Sequence, residues 1–252
     1  MPSPLELVAA GAAALVAGGI NAVAGGGTLV SFPVLIGLGV PSVNANVTNT
    51  VALCPGYFGG AFAQRSSLGE QRTRARRLLP AAGLGGLVGS ILLVVTSDAV
   101  FRNLVPVLIL VACALLGFQD GIKRRVFANR EHAHHDAPPI LMVAVFFSAV
   151  YGGYFGAGLG IMLLAVLGVL LDEQLPKLNA LKTLLSFTIN IVAALFFVFS
   201  GKVEWVYAAV MAPASLAGGH FGGLVAGRLD AKVLRGVVIT FGVAVALKML
   251  LF

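Results

Sequence analysis

The chain alternates long apolar runs with short polar ones, and its first apolar run is the longest. No Asp, Glu, Lys or Arg occurs between Leu7 and Gln64. As a single helix this stretch would be roughly 90 Å long, about three times the hydrocarbon thickness of a bilayer. The pattern therefore predicts helices that cross a membrane and fold back within it.

Eight helical segments can be placed on this pattern. The first and fifth, about Leu5–Gly39 and Ile140–Leu171, are too long and too rich in glycine for one straight span. A polar loop, Gln119–Pro139, precedes the fifth segment. The remaining segments are about Asn44–Gln64, Leu78–Ser97, Asn103–Phe118, Leu178–Gly201, Trp205–Gly227 and Val233–Phe252. We expect an all-α, polytopic membrane protein.

Composition agrees with this class. The chain has 252 residues, of which 58% are hydrophobic and 11% charged, whereas about a quarter of the residues in a soluble domain are charged. The net charge of +7 could suggest a nucleic-acid partner. The basic residues, however, crowd two short loops, 65–77 and 123–130, and short basic loops of membrane proteins stay in the cytoplasm. We expect a lipid bilayer around the protein and no nucleic acid.

An internal repeat divides the chain. Pro41–Thr48 (PSVNANVT) recurs as Pro176–Thr183 (PKLNALKT), and the order of glycine and proline motifs around them is preserved. Duplicated membrane halves are common in transporters, with the solute site near mid-depth where the halves meet. A duplicated scaffold without transport is the alternative. The predicted parts are the first repeat, 1–121, a cytoplasmic linker loop, 122–138, and the second repeat, 139–252.

The orientation of the halves depends on the overlong segments. If each crosses once, the repeats are parallel; if each enters and returns as a hairpin broken at its glycines, the repeats are inverted. The inverted arrangement places Lys177, Arg228, Lys232 and Arg235 inside. The positive-inside bias therefore favours an inverted repeat.

Glycine clusters mark the breaks in the first helix of each half. A broken helix is tolerated in lipid only where its freed backbone groups meet protein, water or a ligand, and amide N–H groups at a helix N-terminus attract anions. Close helix packing by small residues is the alternative. The candidate binding residues here are Asn21, Gly25, Gly26, Gly27 and Thr28, with Gly158 and Gly160 in the second half.

Two rows of polar side chains follow the breaks. They can bind an oxyanion without a buried counter-charge, although capping explains the first Asn of each row. Lys182 is a cation inside a span, hence a functional candidate, unless it snorkels to the interface. His220 could bind the anion or carry a proton, or be a structural histidine. The candidates are Asn44, Thr48, Asn49, Asn179, Lys182, Thr183, Ser186, Asn190 and His220.

Enzymatic patterns are missing from the sequence. The spans contain no pair of acidic residues, no His-Glu-x-x-His helix and no phosphate-binding loop. His132, His134, His135 and Asp136 could be read as a metal site, but a solvated loop explains them better because no second ligand cluster accompanies them. We expect a protein that is not an enzyme and has no metal or other cofactor.

The motifs resemble the TauE/SafE sulfite-exporter permeases. The resemblance rests on Gly18–Thr28 (GGINAVAGGGT), Pro41–Thr48, Tyr151–Thr183 and Ser200–Val203. Leu159 departs from it, because family members often carry glycine there. The resemblance implies secondary transport of small anions, in particular sulfite and organosulfonates such as sulfoacetate, across the bacterial inner membrane.

The functional hypothesis is therefore a permease that works by alternating access. An anion channel is the first alternative and an intramembrane enzyme the second. A coupling proton or sodium ion and a homodimeric state are both compatible with the sequence, which does not decide them.

Overall fold

The structure is a computed structural model that describes residues 2–23, 26–63, 69, 71–128, 139–171, 173–225 and 231–251. The described residues form ten α-helices. These are α1 (Pro4–Val23), α2 (Thr28–Gly37), α3 (Ser42–Ala63), α4 (Arg72–Val95), α5 (Asp98–Ala128), α6 (Pro139–Tyr154), α7 (Leu159–Leu170), α8 (Leu175–Val198), α9 (Trp205–Val225) and α10 (Ala231–Leu251).

Both overlong segments are broken, as predicted. The first consists of α1 and the short helix α2, and the fifth consists of α6 and the short helix α7. Gly26 has a φ of 115° and Gly158 a φ of 76°, backbone conformations that L side chains rarely adopt. This explains why glycines stand at the breaks. Gly25 lies outside the described residues.

Four helices in the described part of the chain are long and apolar enough to cross a membrane: α1, α4, α5 and α8. Large apolar side chains cover the outer surface; Phe199, for example, is 87% exposed and Val95 is 72% exposed. Such a surface is stable in lipid, where backbone groups must be satisfied by helices. The chain is a multi-pass, all-α membrane protein.

One boundary differs from the prediction. The fourth segment was expected to end near Phe118, but α5 continues to Ala128. Half of the added residues, 119–128, are polar or charged, and lysine and arginine are good helix formers, so the helix continues beyond its apolar part. Residues 129–138, which include most of the expected linker and the loop histidines, lie outside the described residues.

Helices α1–α5, from the first predicted repeat, pack on helices α6–α10, from the second. α1 packs on α9 as α6 packs on α4, while α3 packs on α8 and α5 packs on α10. Glycines allow the closest contacts: a Cβ on Gly18 would lie 2.2 Å from the Ser215 carbonyl oxygen, and one on Gly153 would lie 2.1 Å from that of Gly86. In the predicted repeat α6 corresponds to α1 and α4 to α9, so the α1–α9 contact has a matching α6–α4 contact. Helices α3 and α5 each pack on their own counterparts, α8 and α10.

Helix directions can be read from these contacts. Along α1, Gly11 faces Val210 and Gly18 faces Gly219, so α1 and α9 run parallel. Hydrogen bonds join the starts of α3, α5 and α9, because Val43 N–H donates to Asp98 Oδ1 and Asn44 Nδ2 donates to Glu204 Oε1. Helices α1, α3, α5 and α9 therefore begin at one side of the molecule, here called the Asp98 face.

Helices α4, α6, α8 and α10 begin at the opposite side. Gln71 and Arg74, at the start of α4, both bond the carboxylate of Glu173, which precedes α8. Arg235 near the start of α10 binds Asp120, far along α5 from Asp98. We call this side the Glu173 face. α6 runs parallel to α4, since Gly85 faces Phe146 and Gly89 faces Val150, so α6 also begins there. This order supports the predicted inverted repeat.

Candidate functional site

The α1–α2 break is closed by a side chain of the same segment. Asn21 Oδ1 accepts hydrogen bonds from the amides of Gly26 and Gly27, at 3.1 and 2.7 Å. Gly27 packs directly on α1, where a Cβ would lie 2.1 Å from the Ala17 carbonyl oxygen. Thr28, the first residue of α2, is buried. The N-terminus of α2 is therefore satisfied within the protein.

The α6–α7 break is built differently. Phe155 and Gly156 donate their amides to the Tyr151 carbonyl and end α6. Gly158 precedes α7 in a left-handed conformation, and the Leu159 and Ile161 amides donate to the carbonyls of Gly156 and Gly158. Lys182 of α8 reaches this first turn: a Cβ on Gly160 would lie 3.9 Å from Lys182 Nζ. The N-terminus of α7 thus has a cation beside it.

Both breaks lie against one turn of α5. A Cβ on Gly26 would lie 2.9 Å from Leu116, and one on Gly158 would lie 3.5 Å from Ala112 and Leu115. The rings of Phe32 and Phe155, one from each broken unit, are 5.5 Å apart between centroids. The structure therefore brings together the two glycine motifs, which are far apart in the sequence.

The polar row on α3 mostly joins helices to each other. Asn44 and Thr48 both contact Glu204, since Asn44 Nδ2 donates to its carboxylate at 3.0 Å and Thr48 Oγ1 accepts its amide at 2.9 Å. Asn49 Oδ1 accepts a hydrogen bond from Ser31 of α2. Asn44 and Thr48 thus join α3 to Glu204 before α9 at the Asp98 face, and Asn49 joins α3 to α2.

Lys182 places part of the polar row of α8 against the first turn of α7. Thr183 Oγ1 donates to the Asn179 carbonyl, and Asn190 Nδ2 donates to the Ser186 carbonyl, both within one helical turn. Lys182, Ser186 and Asn190 are four residues apart and share one helical face. The structure places this face beside the α6–α7 break.

Two buried polar atoms near the breaks have no hydrogen-bond partner among the described residues: Asn46 Oδ1 and Ser186 Oγ. Asn46 is 1% exposed and Ser186 is 4% exposed. Asn46 donates through Nδ2 to the Tyr154 carbonyl at the end of α6. Asn46 is not among the candidates chosen from the sequence. The density of Asn and Thr marks the segment Asn44–Thr50, but it does not show which side chain would lack a hydrogen-bond partner.

His220 is exposed on α9, and its ring packs beside that of Phe221, 5.8 Å between centroids. Its role in binding an anion or carrying a proton stays a prediction.

Glu173 is the centre of a polar cluster at the Glu173 face. It accepts hydrogen bonds from Gln71 Nε2 at 2.7 Å and from the Gln174 amide, and Lys177 Nζ lies 3.4 Å away. Burial alone would raise the pKa of its carboxyl group, but these hydrogen bonds and the charge of Lys177 together lower the pKa below its ordinary value of 4.5. The cluster joins the start of α4 to the segment before α8.

Replacement of Glu173 by Gln should reduce the pH dependence of stability at acid pH. A carboxyl group with a lowered pKa in the folded state stabilises the protein above its ordinary pKa, and this contribution is lost as the pH falls through the lowered value. The wild-type thermal midpoint should therefore fall more steeply below pH 4.5 than that of the variant, as measured in detergent across a pH series. Parallel curves would contradict this role of Glu173.

Comparisons with known proteins agree with these features. The sequence model of a family described as Sulfite exporter TauE/SafE matches residues 10–249. The Probable membrane transporter protein YfcA of Escherichia coli (strain K12) is 27% identical, covering 99% of this chain and 91% of that protein. A Probable membrane transporter protein of Haemophilus influenzae (strain ATCC 51907 / DSM 11121 / KW20 / Rd) is 29% identical, covering 93% and 90%. No solved structure matches the chain.

Proposed function

The chain belongs to the sulfite exporter TauE/SafE family of membrane transporters, and we propose that it is a secondary permease that carries small anions by alternating access. The observation that carries this proposal is the convergence of the two broken units on one turn of α5, at Ala112–Leu116. Backbone breaks inside a membrane are tolerated where they line a binding site. In duplicated transporters such breaks meet near mid-depth and bind the solute.

The two faces support alternation. Polar contacts between the halves occur at both sides: Asn44 with Glu204 at the Asp98 face, and Gln71 with Glu173 at the Glu173 face. An inverted repeat can exchange an outward-open and an inward-open state by breaking one set of contacts and keeping the other. We take these two carboxylates as the points where access opens.

Sulfite and organosulfonates such as sulfoacetate are the proposed substrates. The description of the family supports this choice, and so does the chemistry beside the α6–α7 break, which offers amide groups, hydroxyl groups and the ammonium group of Lys182. Donors of this kind match the oxygens of a compact anion. The proposed site joins Asn21–Thr28 and Asn44–Thr50 to Gly156–Gly160 and Asn179–Asn190.

The proposed setting is the bacterial inner membrane, with the Glu173 face in the cytoplasm. Arg72, Arg74, Arg76 and Arg77 at the start of α4 are all on that side, as the positive-inside bias requires. A proton or a sodium ion would be the coupling ion, and vesicles with imposed gradients of each would identify it. A homodimer remains part of the proposal, to be tested by the mass of the detergent-solubilised protein.

Purified protein in liposomes should show saturable uptake of labelled sulfite. Uptake should also be accelerated by unlabelled sulfite inside the vesicles, because a carrier returns faster when its site is loaded from the opposite side. The measurement is the initial rate against external sulfite with and without internal sulfite, with protein-free liposomes as the control.

The same vesicles distinguish the alternatives. Flux that rises linearly with concentration and shows no acceleration would identify a channel and contradict the carrier. Conversion of sulfite to another compound by the purified protein would identify an enzyme.

A further inference from the structure

The two broken units are not chemically equivalent, although the repeat makes them counterparts. Both present a helix N-terminus toward α5, and either could attract an anion through its amides and helix dipole. The groups around the two N-termini differ in three respects: what occupies the amides, where the nearest cation lies and which side chain lacks a partner. Each difference favours the same N-terminus.

At α2 the amides are occupied. Asn21 Oδ1 accepts from both Gly26 and Gly27, so a side-chain carbonyl already lies where an anionic oxygen would bind. Gly27 also packs against the α1 backbone at Ala17, without room for even one added carbon atom. An anion at α2 would have to displace Asn21.

At α7 the amide of Leu159 donates to the Gly156 carbonyl. Among the described residues no side chain occupies the first amides of α7 as Asn21 does at α2, and the nearest cation is in place. Lys182 Nζ reaches the first turn beside Gly160. The repeat aligns Pro176–Thr183 with Pro41–Thr48, so the counterpart of Lys182 on α3 is Val47, an apolar and fully buried residue. The second half alone therefore places a positive charge on the polar row next to its helix N-terminus.

Ser186 gives an independent indication of a ligand. Its hydroxyl is buried and without a partner in the described part of the chain, an arrangement that costs about 1–3 kcal/mol in a protein interior. Ser186 is one turn beyond Lys182 on the same face of α8, and α8 packs on α7. Ser186 therefore shares the α8 face that presents Lys182 to the first turn of α7, and an anionic oxygen bound there would accept a hydrogen bond from its hydroxyl.

We propose that the protein has one oxyanion subsite, formed by the first turn of α7 with Lys182 and Ser186, and that Asn21 takes the place of an anion at α2. This inference rests on the proposed function and assigns its substrate-binding end. The ligand is a single sulfite ion or the sulfonate group of a larger molecule, because the donors converge on one helix N-terminus. The rest of an organosulfonate would extend toward the α1–α2 break.

Calorimetry of the full-length purified protein tests the proposal with sulfite and methanesulfonate as probes. Wild type should bind one sulfite per chain. Lys182→Met should weaken binding about 100-fold and Ser186→Ala about 10-fold, the usual range for a lost hydrogen bond to a charged group. Lys182→Arg should recover most of the affinity. Arg102→Leu, which removes an exposed cation outside the proposed site, should stay within about threefold of wild type.

Two results would overturn the subsite: two sulfite ions per chain, or unchanged affinity in both Lys182→Met and Ser186→Ala. Circular dichroism and the thermal midpoint of each variant separate loss of binding from loss of fold. If counterflow of sulfite persists in wild type while these variants bind normally, the subsite is wrong and the permease stands. If wild type neither binds nor transports the probes, the proposed function fails.

Discussion

Replacement of Gly89 by alanine should lower the thermal midpoint of the protein by about 2–12 °C. A Cβ at this position would lie 2.1 Å from the Val150 carbonyl oxygen and 2.8 Å from the Tyr154 amide nitrogen, so α4 and α6 would have to separate. Overpacking of this kind costs about 1–3 kcal/mol or more, and about 2–4 °C correspond to each kcal/mol in a chain of this size. Thermal unfolding in detergent measures the effect.

The matched control is Gly83→Ala in the same helix. A Cβ there would make only an ordinary contact, 3.8 Å from Val192, and alanine is favoured over glycine inside a helix by about 1 kcal/mol. Gly236→Ala, with no atom within 4 Å, extends the comparison to α10. Equal midpoints for Gly89→Ala and Gly83→Ala would show that the close contact of α4 with α6 does not stabilise the protein.

The membrane class and the two broken helices could be predicted from the sequence because both are local properties. A run without charge from Leu7 to Gln64 is stable only in lipid, and glycines near residues 26 and 158 permit left-handed backbone there. Each of these features depends on residues that are close together in the chain.

The use made of each polar side chain could not be predicted. Asn44 and Thr48 bond Glu204, more than a hundred residues away, and Asn46 bonds the Tyr154 carbonyl. The sequence shows that these groups can donate or accept but not which partners the fold brings to them. For the same reason the sequence did not show that Asn21 accepts hydrogen bonds from the amides before α2, or that the Ser186 hydroxyl lacks a partner among the described residues.

Helix α5 was underestimated for a related reason. The apolar part of α5 ends near Phe118, so a prediction from hydropathy ends the helix there. The lysine and arginine residues that follow favour helix, and the helix continues to Ala128. This extension lies at the Glu173 face and supplies Asp120, the partner of Arg235. The longer helix therefore provides an ion pair between the two halves that the expected polar loop would not have positioned.

Removal of the Asp120 carboxylate should destabilise the protein by about 2–3 kcal/mol. Arg235 is 8% exposed, and its guanidinium donates to both carboxylate oxygens, at 3.0 and 2.9 Å. A buried charge that loses its partner typically costs about 3–5 kcal/mol, and we expect less here because the Asp120 side chain is 45% exposed and water can replace part of it. Asp120→Ala should therefore lower the thermal midpoint by about 4–12 °C.

The double variant Asp120→Ala/Arg235→Leu tests whether the lost stability comes from the Arg235 charge once the Asp120 carboxylate is removed. Apolar replacement of a whole buried ion pair is often neutral or stabilising, so the double variant should recover most of the midpoint lost in Asp120→Ala. Arg102, near the start of α5, is exposed, and Arg102→Leu should change stability by less than about 0.5 kcal/mol. A double variant as unstable as Asp120→Ala would mean that the destabilisation does not come from the loss of the Asp120–Arg235 ion pair.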